Sequence, residues 1–130
     1  MNYQQKPSYR LTKHNLELAR GLLKNKKYFD WIITCLYYSA LMLAQTLYET
    51  RCWPVPKTHR TSGDKIGWNQ SIGDLVGKKA KYNFDTLCRA SQRYRYDPDE
   101  ALGLDYNMVQ QYVKFYNDFT ADIQKELDKE

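Results

Sequence analysis

Apolar residues recur at spacings of three and four along most of this chain, the period of a helix buried along one side. The strongest stretch runs from about Tyr28 to Thr50. Phe29, Ile32, Ile33, Leu36, Ala40, Leu43, Ala44 and Leu47 form one stripe, and Trp31, Cys35, Tyr38 and Met42 form a second on a different face. A helix apolar on two faces predicts two sets of neighbours: its own bundle, and a second subunit meeting Trp31, Cys35, Tyr38 and Met42.

Three further helices are predicted around it. The first spans about Thr12 to Asn25 with Leu11, Leu16, Leu18, Leu22 and Leu23 on its apolar side and Ser8 as N-cap. Another spans about Lys78 to Tyr94 and ends in the turn Asp97-Pro98-Asp99-Glu100, because Pro98 pushes the residue before it away from helix. The last, Tyr106 to Lys129, carries one stripe from Val109 through Tyr112, Val113, Tyr116, Phe119 and Ile123 to Leu127. Between Arg51 and Gly77, prolines and glycines predict a long ordered loop with a short helix near Lys65 to Ile72. No strand-like alternation competes. The expectation is an all-α, up-and-down four-to-five-helix bundle with a long ordered loop after the second helix, residues 1–130 forming one domain.

Composition narrows the function classes. With 42% hydrophobic residues the chain can bury a core, and its 12 tyrosines suit half-buried positions. The net charge of +5 permits a polyanionic partner without requiring one. The run Trp31 to Ala44 is broken by Thr34, Tyr37, Tyr38 and Ser39, too short and too polar to be expected to span a bilayer. The opening MNYQQKPSYR has no apolar signal core, which leads to the expectation of a cytoplasmic protein without a membrane partner. Cys35, Cys52 and Cys88 form no CxxC, and His14 and His59 stand at no ligand spacing from them, so neither a metal nor a cofactor is expected. Cys35 and Cys88 read as small core residues. GxGxxG, GxxxxGK[ST], HExxH and GxSxG are all missing.

Two basic segments remain as candidate chemistry. Pro56-Lys57-Thr58-His59-Arg60 sets three polar or cationic groups beside a hydroxyl that can cap a helix, a combination suited to an anion. The plainer alternative is that Thr58 caps, His59 packs and the cations face water. Arg89, Arg93, Tyr94, Arg95 and Tyr96 interleave guanidinium groups with rings, able to hold phosphates and stack bases. They equally suit the negative end of a helix dipole. Both segments flank the central loop, so one composite groove joining His59 to Arg93 is expected.

The order Leu36-Tyr37-Tyr38-Ser39-Ala40-Leu41-Met42-Leu43-Ala44-Gln45, then Pro56-Lys57-Thr58-His59, then Tyr94-Arg95-Tyr96-Asp97-Pro98 and a striped final helix resembles the HEPN domain family. The resemblance covers nearly the whole chain. It implies a homodimeric helical bundle that binds nucleotide or RNA, often paired with a small nucleotidyltransferase or placed in a toxin–antitoxin or other defence system. On this sequence it points to Lys57, His59, Arg60, Arg93, Arg95 and Tyr96 as binding residues. Many members of that family are metal-independent ribonucleases with an Arg-x(4–6)-His motif. Here three residues separate Arg10 from His14 and seven separate Arg51 from His59, so binding is the expectation rather than catalysis. The alternatives are a ribonuclease using His59 with Arg51 or Arg93, and a protein–protein interaction module without nucleic acid.

The second stripe generates a test. Obligate interfaces resemble a core cut in half, and an aromatic such as Trp31 would anchor one. Light scattering at micromolar concentration should therefore give twice the chain mass; a clean monomer would contradict the expectation.

Overall fold

The computed structural model describes residues 2–56 and 62–129, with the backbone alone for 62–66. Among the described residues a 3-10 turn, Tyr3–Gln5, precedes six helices: α1 (Pro7–Asn25), α2 (Phe29–Arg51), α3 (Ser62–Leu75), α4 (Lys78–Tyr96), α5 (Pro98–Leu102) and α6 (Tyr106–Leu127). Those residues include no strand. The fold is an all-α bundle.

Local chemistry explains most boundaries. α1 starts five residues earlier than the leucine pattern predicts, because Pro7 occupies its first turn, where the missing N–H costs nothing. Ser8 is consequently not a cap. It is buried inside the helix and donates to Glu49 Oε1 at 2.6 Å, while Thr46 donates to it at 2.8 Å. The turn predicted at 97–100 folds on into α5: Asp97 accepts from the Glu100 N–H at 3.2 Å and Pro98 opens the new helix. The short helix expected near Lys65 to Ile72 is longer, fourteen residues, because Trp68 and Ile72 bury almost completely and packing outweighs its glycines.

Fourteen of the 23 residues of α2 are buried. α1 runs antiparallel to it, with Ser8 beside Thr46 and Thr12 beside Ser39. α4 is also antiparallel, and α6 is parallel, pairing Tyr116 with Ser39. α4 and α6 pack on each other, whereas α1 packs chiefly on α2. By length and composition α2 does reach what a membrane span needs, with a mean hydropathy of 1.2, against the expectation drawn from the shorter run; it continues through Leu47 and Tyr48. In the bundle, however, 78% of that stretch is buried.

A chain of rings fastens the layers. Trp53 meets Tyr48 edge-on at 5.4 Å, Tyr48 meets Trp68 at 5.0 Å, and Phe84 links Trp68, Tyr37 and Phe119 at 6.1, 5.6 and 5.4 Å. Such pairs add about 0.5–1.5 kcal/mol beyond their area. Beside them sits a buried polar hub. Ser39 is fully enclosed, donates to the Thr12 carbonyl at 2.8 Å, and lies 2.7 Å from the Tyr116 hydroxyl.

Removing one partner of a buried pair strands the other, at about 1–3 kcal/mol, whereas removing both costs less. Ser39→Ala and Tyr116→Phe should therefore each destabilise the bundle. The double variant should lose less than the sum of the two, by about 1 kcal/mol. Additive losses in urea unfolding would show that the hydroxyls do not interact.

Candidate functional site

The dipole of α4 ends negative at Tyr96, and its last turn carries Arg93 and Arg95. The 3.6-residue period turns Tyr94 inward, Arg93 out to solvent and Arg95 along α2. The Arg95 guanidinium lies near two rings, 5.7 Å from the centre of Tyr38 and 5.3 Å from that of Tyr96. It also donates to the Ser91 carbonyl at 3.2 Å and to the Tyr38 hydroxyl at 3.3 Å. Tyr96 is 72% exposed, so its outer face is open. Among the described residues neither Arg93 nor Arg95 makes an ion pair, although Asp97, Asp99 and Glu100 follow directly in sequence. Asp97 is occupied as the α5 cap.

The second layer of this corner is phenolic. Tyr94 and Tyr112 hydroxyls lie 3.3 Å apart. Burial, and then the hydrogen bond and charge of Tyr94, push Tyr112 up to about 12, against a pull from Arg93. Burial also raises Tyr37, Tyr48 and Tyr116 above the ordinary tyrosine value.

Lys57, His59 and Arg60 lie outside the described residues, so the expected groove joining His59 to Arg93 is described only by its flanks. On one side Pro56 lies over Gly67 of α3, and on the other α3 begins at Ser62. α3 runs antiparallel to α4, with Gly73 against Lys81 and Asn69 donating to Asp85 at 2.9 Å, which directs its first turn toward the arginine end of α4.

Two of the expected site residues are engaged within the chain. The Arg51 guanidinium, whose expected ribonuclease partner His59 lies outside the described residues, donates to the backbone carbonyls of Glu126 and, at 2.9 Å, Lys129, closing the C-terminal end of α6. A cation there complements the helix dipole and satisfies orphan carbonyls. Cys35, expected at a subunit interface, is 8% exposed and belongs to the chain's own core, as does Cys88. The rest of that stripe stays partly open, with Trp31 54% exposed and Tyr38 and Met42 half-buried. Pairing Tyr38 with Arg95 was not legible in sequence, since 57 positions separate them. Among the described residues no group of histidine, cysteine or carboxylate side chains is gathered for a metal. The chain matches no family model, no curated protein and no solved structure.

The raised phenols make an alkaline prediction. An unfolded tyrosine ionises near 10.0, while folded Tyr112 keeps its proton to about 12. Across that window the unfolded chain sheds protons that the folded chain retains, so stability should fall as pH rises. Melting temperatures should drop between pH 10 and 12, and Tyr112→Phe should lessen the drop. A melting temperature unchanged over that range would contradict it.

Proposed function

We propose that this bundle is a dimeric module binding nucleotide or RNA at the C-terminal end of α4. The observation that carries the reading is the Arg95 guanidinium beside both Tyr38 and Tyr96, with Arg93 exposed next to it. A guanidinium and an open ring share one corner, as a phosphate and a stacked base require. Tyr96 offers its outer face to a base, Arg93 reaches a phosphate, and Arg95 is held rigid by the rings. Lys57, His59 and Arg60 would extend the cationic surface. Trp31 and Met42 supply the open part of a dimer face on α2. The family resemblance adds a small nucleotidyltransferase partner, a toxin–antitoxin or defence setting and a cytoplasmic location.

Cationic capture of a polyanion is salt-dependent because each neutralised phosphate releases counterions. RNA affinity should fall steeply with salt. Arg93→Ala with Arg95→Ala should weaken binding across sequences and flatten the salt slope by about one unit for each phosphate no longer neutralised. Metal-independent cleavage abolished by His59→Ala, with binding spared, would establish the ribonuclease instead. Absence of any salt-sensitive binding would leave the interaction module.

A further inference from the structure

α1 and α6 both lean on α2, and between them runs a groove that the Arg95 corner does not share. Two cavities of about 290 and 160 Å³ lie end to end in it, with Leu16, Arg20, Tyr116 and Asn117 common to both. Their lining on α1 extends from Tyr9 to Leu23, a rise of about 20 Å. The two ends differ in chemistry. The smaller cavity is walled by Ala19, Leu23, Ile32, Leu36 and Val113, with Arg20 and Asn117 at its mouth. The larger is mixed and the more polar of the two, with Lys13, Thr120 and Gln124 added to Arg20 beside Leu16, Leu43 and Ala121. Among the described residues no carboxylate lines either one, although the chain has fifteen.

Two cations of α1 line the larger cavity. Lys13 and Arg20 stand seven residues apart on one face of α1, both exposed. Lys13 lies 5.4 Å from the Tyr9 ring centre, and among the described residues neither has an acidic partner. Arg20 is close enough to Tyr116 to lower that phenol's proton affinity against the larger effect of burial. Arg20 at the mouth of the apolar slot, with Lys13 farther along the groove, matches a molecule with a negative head and an apolar tail.

We infer that the α1–α6 groove binds a small amphiphilic anion, its carboxylate or phosphate head between Lys13 and Arg20 and its apolar tail in the slot against Leu16, Leu23 and Val113. A nucleobase fits the slot less well, because its polar edges would meet a largely apolar wall. The site is independent of RNA binding at α4 and stands or falls without it.

Calorimetric titration of the full chain with octanoate, octyl phosphate, octyl glucoside and inorganic phosphate separates head from tail. Binding of either octyl anion at one molecule per chain is expected, and which binds tighter identifies the head group. The neutral glucoside and inorganic phosphate should bind at least about tenfold more weakly. Lys13→Gln with Arg20→Gln, both exposed and therefore expected to fold, should weaken the anion by about tenfold or more, the loss of a charge-assisted hydrogen bond. Equal binding of the glucoside, equal binding by the double variant, or no binding of either octyl anion would overturn the inference.

Discussion

The burial of α2 is the constraint on which the rest of the structure depends. A 23-residue helix with fourteen buried positions cannot be covered by one neighbour. Each fully buried Leu or Ile is worth about 1.5–3 kcal/mol only if something closes over it. α1, α4 and α6 take three sides, and α3 covers the end of the helix near Tyr48. The alternating directions of these helices follow from the connections, which place each successive long helix back along the one before. The ring chain from Trp53 to Phe119 passes through four of these elements, so packing is continuous rather than pairwise.

How much of this is legible in sequence depends on distance along the chain. The α6 stripe can be read residue by residue, and Val109, Tyr116, Phe119, Ile123 and Leu127 are all buried. The breadth of the α2 pattern is equally plain. The extent of α3 is not, because Gly67 and Gly73 weaken every local signal while the helix is held by Trp68 against Tyr48 and Phe84. Ser8 and Arg51 show the same limit for single side chains. Each has a residue type that fits a familiar local role, and each is claimed by a partner 41 or 75 positions away. Of the candidate site, the arginine and tyrosine content is visible in sequence, but the contact of Arg95 with Tyr38 needs the fold.

Among the described residues the cations differ in what the fold does with them. Arg51 is consumed by α6 and Arg89 by Asp85 at 2.8 Å, an exposed i,i+4 pair of small energetic value. Arg93, Arg95, Lys13 and Arg20 have no acidic partner among the described residues. A net charge of +5 is therefore a poor guide to where an anion would settle. What matters is the surroundings of each charge: among the described residues Arg93 and Arg95 lie beside tyrosine rings at the end of α4, and Lys13 and Arg20 line a groove along α1.

The three tryptophans have very different surroundings. Trp68 is 2% exposed in the ring chain, Trp53 is half-buried against Tyr48, and Trp31 stands 54% in solvent near the start of α2. An aqueous quencher would reach Trp31 while leaving Trp68 in the dark of the interior. The protein thus carries its own pair of optical reporters. One monitors the opening turns of α2, and the other the seating of α3, with no label added.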